Sequence, residues 1–164
     1  MQLSKIVPCL WFASEAEEAA RYYTGIFPNS RIVHTAYYGK EGFDTHRQRE
    51  GTVLTVEFQL DGQTFTALNG GPLFKFNEAV SFQVMVDDQE ELDHYWDKLG
   101  AGGDPKAQVC GWLKDKYGLS WQVAPKEMVR WWGKPNEKSE RAMAALMKMK
   151  KLDIAALRKA YEGT

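Results

Sequence analysis

The chain has 164 residues, 44% hydrophobic and 13% aromatic, and its 21 Lys/Arg against 22 Asp/Glu leave a net charge of −1. That apolar content excludes a disordered chain, no apolar run approaches the ~20 residues of a membrane span, and the near-zero charge excludes a general nucleic-acid binder. Residues 6–12 are too short and lack the basic flank of a signal peptide, and Cys9 and Cys110 form no disulfide framework, so a globular protein in a reducing cytoplasm is expected.

Residues 6–12 read as a buried strand, short and apolar. Ser14 and Glu17 have the spacing of a capping box, and the helix they open places Ala16, Ala19, Ala20, Tyr23 and Phe27 on one face. Pro28-Asn29-Ser30 ends it. Residues 31–38 alternate as a strand, and 39–51 form a polar loop. Two alternating runs, 52–60 and 64–68, flank an Asp61-Gly62 turn, which is a hairpin signal.

The pattern then restarts. Residues 80–86 are a second apolar strand, and Asp88 with Glu91 is a second cap, opening a helix with Leu92, Tyr95, Trp96 and Leu99 inward. Glu17, Tyr22 and Tyr23 precede Glu90, Tyr95 and Trp96 by a constant interval, so the first half of the chain recurs in the second. Gly102-Gly103, a strand near 108–114, a turn at 115–118 and a strand at 120–124 complete the copy.

Beyond Pro125 the texture is helical: 126–132 with Met128, Trp131 and Trp132, then 138–150 with Ala142, Met143, Leu146 and Met147. A last helix has Asp153 as N-cap, Leu152 stapled to Leu157 and a stop at Gly163. Residues 134–164 hold eight Lys/Arg against four Asp/Glu. They form either the wet face of helices on an acidic body or a surface for a polyanion, and their docking partner is either the repeat body or another subunit.

No GxSxG elbow, HExxH, Walker loop or zinc cysteine set occurs. Gly100-Ala-Gly-Gly103 follows a helix and reads as a helix stop, and Asn69-Gly-Gly-Pro72 as a crossover loop. His34, His46 and His94 read as surface or satisfied histidines, with His46 in a loop able to close over a ligand. Both cysteines read as mid-strand packing residues.

A duplicated βαβββ half closing with Asp115, Gly118 and Trp121 resembles the vicinal-oxygen-chelate superfamily of glyoxalase and bleomycin-resistance proteins. Residues 12–19, 22–30, 65–72 and 147–157 are similar to its PhnB-like branch, often labelled 3-demethylubiquinone-9 3-methyltransferase. No glycine-rich loop of an S-adenosylmethionine Rossmann enzyme accompanies that label. The resemblance implies an α+β fold: paired modules at about 1–75 and 76–125 forming a curved-sheet cup over residues 1–125, a helical extension at 126–164, and a homodimer. In metal-dependent relatives the first and last strands of each half supply the ligands. The matching positions here are Val7, Ser81, Gln122 and Thr66, or Asn69 if the register slips. These offer no carboxylate or imidazole, so no metal and no other cofactor is expected.

Alternation places Val7, Cys9 and Trp11 on the cup face with Ser81, Gln83 and Met85, extended by Cys110, Trp112, Ser120 and Gln122, while Phe82, Val84, Trp121 and Val123 turn to the helices. The expected ligand-binding set is Cys9, Trp11, Thr66, Asn69, Ser81, Gln83, Trp112 and Gln122, suited to a flat or amphiphilic small molecule. Trp11 and Trp112 would otherwise simply fill the cup. The expected partners are a small molecule and a second copy, with neither nucleic acid nor membrane. Two rival functions are an enzyme using a metal recruited by Asn69, Gln122 or His46, and an interaction module acting through the basic tail.

Overall fold

The computed structural model describes residues 4–164, and the chain divides between Lys75 and Phe76 into two compact units. The first contains β1 (Cys9–Phe12), α1 (Ala16–Ile26), β2 (Arg31–Tyr37), α2 (Phe43–His46), β3 (Val53–Leu60) and β4 (Gln63–Asn69). Its sheet runs β1-β4-β3-β2, with β1 parallel to β4 and the other pairs antiparallel. Val56 and Phe58 on β3 are fully buried along with Ala16, Ala19, Ala20 and Tyr23 of α1. Asp61 and Gly62 both have positive φ, 45° and 81°, the geometry a two-residue Asp-Gly hairpin requires.

The second unit contains β5 (Ser81–Val86), α3 (Gln89–Gly100), a 3-10 turn (Pro105–Ala107), β6 (Trp112–Lys114), β7 (Ser120–Pro125), α4 (Met128–Trp131), α5 (Glu137–Leu146) and α6 (Ile154–Glu162). Its sheet runs β5-β7-β6, again with the first and last strands parallel. Leu92, Tyr95, Trp96 and Leu99 of α3 and Trp121 and Val123 of β7 are buried. The two registers give the correspondence between the repeats: Cys9 lies beside Thr66 in the first, and Gln83 beside Gln122 in the second. Thr66, not Asn69, is therefore the counterpart of Gln122.

This second copy has one strand fewer than the βαβββ pattern. In the first unit residues 27–52 separate α1 from β3, room for β2 and a return; in the second only 101–111 separate α3 from β6. That short link holds Pro105 and two residues, Cys110 and Gly111, at φ 50° and 81°. Cys110 thus occupies a left-handed turn ahead of β6, not the middle of a strand.

Other expectations shift at element ends. β1 starts at Cys9, and Ile6 is 83% exposed. Residues 43–46 of the polar loop close into one helical turn. Ser14 makes no forward cap: the N-cap residue of α1 is Glu15, without a side-chain cap bond, and Glu17 pairs with Arg21 instead. The Ala16 amide is met from β4, by Asn69. At α3, Asp88 does accept from the Glu91 amide, while the Glu91 carboxylate accepts from Asp87.

The C-terminal helices dock within the second unit. Gln89 Nε2 donates to the Leu152 carbonyl, Gln89 Oε1 accepts from the Ile154 amide, and Lys151 pairs with Asp93 at 3.0 Å. Cys110 and Gly111 amides donate to the Met149 and Lys150 carbonyls. Leu152 and Leu157 are both buried, and Gly163 takes φ 80° at the helix stop. Met143 and Met147, expected on the inner face of α5, are instead 40% and 63% exposed, and Trp132 is 37% exposed. Ala142 and Leu146 face inward there, with Ser139 in an Asn136–Ser139 capping box.

Candidate functional site

In the first unit, the non-helix side of the sheet presents Cys9, Trp11 and Thr66. Cys9 is exposed by area, yet enough neighbouring atoms crowd its sulfur that desolvation pushes the thiol pKa above its ordinary value. It is held as a neutral thiol. Trp11 is fixed by its own chain: its indole donates to the Gly71 carbonyl at 2.8 Å, and its ring meets Phe74 edge-on at 4.9 Å. Gly70 lies flat against the indole, where an added Cβ would fall 2.2 Å from Trp11 Cζ2. The Gly70 and Gly71 amides bond to Phe12 and Ala13 carbonyls, which makes 69–72 a crossover and leaves it no phosphate cradle.

Asn69 belongs to this scaffold. Its side chain is buried, Oδ1 accepting from the Ala16 amide at 2.8 Å and Nδ2 donating to the Val53 carbonyl at 3.0 Å. Tyr38 donates its hydroxyl to the Asn69 carbonyl. By register Asn69 shares the sheet face of Phe12, so the structure does not bring it together with Cys9, Trp11 and Thr66. His46 is likewise engaged: Nδ1 accepts from the Gln48 amide, Nε2 donates to the Glu41 carbonyl, and its ring lies 4.5 Å from that of Tyr38. It organises the 39–51 loop.

The second unit carries the more open polar face. Gln122 donates to Ser81 Oγ at 2.9 Å, and Gln83 donates to Gln122 Oε1 at 3.4 Å. Ser81 and Gln122 are half-buried, Gln83 is exposed, and the half-buried Trp112 lies directly across from Gln122. This run of amides and a hydroxyl beside an indole leaves the Ser81 proton and Gln83 Oε1 available.

Next to it a cavity of ≈ 380 Å³ is lined by Glu78, Lys106, Cys110, Trp112, Lys114 and Ser120, among others. Lys114 pairs with Glu78, and that hydrogen bond holds the Glu78 carboxyl below its ordinary pKa. Ser120 is 1% exposed, and among the described residues its Oγ is the buried side-chain oxygen left without a hydrogen-bond partner. Alternation along 112–114 and 120–122 was the available signal for Lys114 and Ser120. Glu78 comes from an irregular segment and Lys106 from the 3-10 turn, both too short for a periodicity to read.

The closing motif of this unit has a physical basis. Asp115 is 2% exposed; its Oδ1 accepts from the Tyr117 and Leu119 amides and its Oδ2 from the Trp121 indole. Gly118 supplies φ 84° at the turn. One carboxylate thus ties the β6–β7 connection to the core indole.

Two repeat units, each with its first and last strands side by side and parallel and a helix packed on one side of its sheet, define a vicinal-oxygen-chelate fold. The chain belongs to the PhnB-like family of that superfamily, described as 3-demethylubiquinone-9 3-methyltransferase, which it matches over residues 4–124. The PhnB protein of Bacillus cereus is 36% identical, with 74% of this chain and 99% of that chain covered and a TM-score of 0.63. A Pseudomonas aeruginosa protein is 18% identical (75% and 98% covered, TM-score 0.57). The fosfomycin resistance protein FosX of Mesorhizobium loti is 17% identical (75% and 91% covered, TM-score 0.50). The last two likenesses show the fold alone. No curated protein matches the chain.

The metal of metal-dependent relatives does not fit the residues here. Among the described residues no group of three or more His, Cys, Asp and Glu is placed to hold an ion. The matching strand positions offer an alkyl side chain at Val7, hydroxyls at Thr66 and Ser81, and one carboxamide, Gln122. A divalent cation wants carboxylate oxygens or imidazole nitrogens. Nor does the start of α1 resemble a nucleotide-binding turn, since its first amide is met by Asn69. No described helix is long and apolar enough to cross a membrane.

Proposed function

We propose that this chain is a small-molecule-binding protein of the PhnB-like family, working as a homodimer and without a metal. Its ligand sits on the open sheet face of the second unit, over Ser81, Gln83, Trp112 and Gln122. The observation carrying this reading is the Gln83–Gln122–Ser81 hydrogen-bonded chain. It arrays unsatisfied polar valences beside a half-exposed indole on a surface with its own cavity. A few placed polar groups in an apolar, aromatic setting are what a small organic ligand needs. Cys9, Trp11 and Thr66 remain candidate contacts on the first unit's sheet, with Trp11 held by the 70–74 segment.

The rival enzyme reading asks Asn69, His46 or Gln122 to recruit an ion, and the first two have their side-chain atoms engaged by the scaffold. The rival tail reading loses force because Lys151, Arg158 and Lys138 pair with Asp93, Glu127 and Glu162. The test is a screen of small aromatic fragments of positive, negative and neutral charge, followed by amide chemical shifts, on protein purified without chelator. Shifts clustering at Ser81, Gln83 and Gln122 are expected, from a dimer by light scattering. Stoichiometric zinc, nickel, iron or manganese in the purified protein, or a face that no fragment perturbs, would overturn the proposal.

A further inference from the structure

The two repeats carry an internal control at one cross-strand position. In the first unit Gln59 on β3 lies opposite Thr64 on β4, and Gln59 Nε2 reaches the Thr64 hydroxyl at 3.5 Å. In the second unit the corresponding pair is Lys114 on β6 opposite Ser120 on β7. Thr64 and Ser120 are both almost wholly buried, at 3% and 1% exposure. The first hydroxyl has its neighbour across the ladder. The second does not, because Lys114 pairs with Glu78 and Ser120 Oγ is left with no partner. A buried hydroxyl in that condition costs stability, so its persistence on a cavity wall calls for an occupant.

Charge around the cavity says what kind. Lys106 and Lys114 contribute two ammonium groups and Glu78 one carboxylate, while Trp112 supplies a flat apolar wall. Glu78 is ionised and 64% exposed in its side chain, so water stands ready to solvate it once its partner leaves. Resting on the small-molecule reading above, we infer that this cavity takes a small aromatic carboxylate. Its acid group replaces Glu78 as the partner of Lys114 and accepts a hydrogen bond from Ser120, and its ring lies along Trp112. Charge-assisted bonds of this kind are about twice as strong as neutral ones, so the acid outcompetes its own amide.

The experiment compares benzoate with benzamide, which has the same shape and no charge, by following amide shifts in the full-length protein. Benzoate should bind with a dissociation constant roughly tenfold below that of benzamide, a difference of about 1.4 kcal/mol, and shift Lys114, Ser120 and the Trp112 indole. Lys114→Met keeps the alkyl stem and should erase the difference between the two probes. Ser120→Ala should weaken benzoate roughly tenfold while leaving the melting temperature unchanged or raised, because the hydroxyl it removes has no partner to lose. Equal affinity for the two probes, silence of benzoate, or shifts that avoid Ser120 and Lys114 would overturn the acid assignment. If neutral fragments still perturb Ser81, Gln83 and Gln122 in that case, the small-molecule reading survives alone. If no probe of any charge touches this face, both readings fall.

Discussion

Replacing Asn69 with alanine removes two hydrogen bonds at once. The Ala16 amide loses the acceptor that stands in for an N-cap, and the Val53 carbonyl loses its side-chain donor. Loss of a cap costs about 1 kcal/mol, and a buried polar group stripped of its partner costs roughly 1–3 kcal/mol. The sum is about 2–4 kcal/mol, or a fall of roughly 4–16 °C in melting temperature for a chain of this size. Tyr38 bonds to the backbone carbonyl of Asn69 and is retained, so it does not enter the sum. Urea unfolding monitored by circular dichroism gives the free energy, and hydrogen exchange at Ala16 locates the loss. Thr66→Ala, on the opposite face of the same strand and half-buried, is the control and should cost under about 1 kcal/mol. Should Asn69→Ala unfold within about 0.5 kcal/mol of wild type, the scaffold role fails.

Gly103→Ala would drive a Cβ to 2.0 Å from the Lys114 carbonyl oxygen; because the obstacle is backbone, a loss of about 3 kcal/mol or more is expected in thermal melts, and an unchanged midpoint would contradict the packing. Asp115→Asn turns one acceptor oxygen into a donor facing either the Trp121 indole or the 117 and 119 amides, at a cost of roughly 2–3 kcal/mol read by chemical denaturation. Gln89→Ala deletes the bonds to Leu152 and Ile154 and should speed hydrogen exchange at Ile154 while leaving β5 protected. Asp93 is lowered from its ordinary value of 3.8, first by the Gln89 hydrogen bond and then by Lys151, and Lys151 is raised from 10.5 by Asp93. A lowered acid stabilises above its unfolded pKa and a raised base below its own, so the link holds between those two values. It weakens as pH falls below 3.8 or rises beyond 10.5; with both side chains more than a third exposed the effect is small, and Asp93→Asn should flatten the acid limb of stability against pH.

Hydrophobic periodicity carried most of the fold. The inward faces of α3, β5 and β7, the Asp-Gly hairpin, the Asp153 cap and the Leu152–Leu157 pair were all readable because each rests on spacing within one element. What spacing cannot carry is choice of partner. Ser14 and Asn69 are both good cap formers, and only the parallel pairing of Phe12 with Asn69 decides which one reaches the first amide of α1. Met143 and Met147 have helical spacing with Leu146, yet Ala142, Leu146 and Ser139 are the ones the unit buries. At the site, alternation placed Ser81, Gln83, Trp112 and Gln122 on one face, but the orphaned Ser120 hydroxyl depends on which way the Lys114 ammonium turns. No pattern along the chain encodes that.

Asn69 and its counterpart in the second copy explain why equivalent helices start by different means. Register makes Asn69 opposite Phe12 correspond to Pro125 opposite Val86. A proline has neither the carboxamide nor the N–H to serve a neighbouring helix, so α3 must cap itself, and Asp88 does so at 2.9 Å from the Glu91 amide. With Asn69 present, α1 needs no local cap, and Ser14 and Glu17 are free of that duty. A similar contrast recurs five residues back along the same strands: where the first copy joins Gln59 to Thr64 inside the sheet, the second turns Lys114 outward to Glu78 and leaves Ser120 facing a cavity. The first copy has closed its polar groups on one another. The second links Gln83, Gln122 and Ser81 but leaves the Ser120 hydroxyl without a partner, and that asymmetry is what the proposed ligand would use.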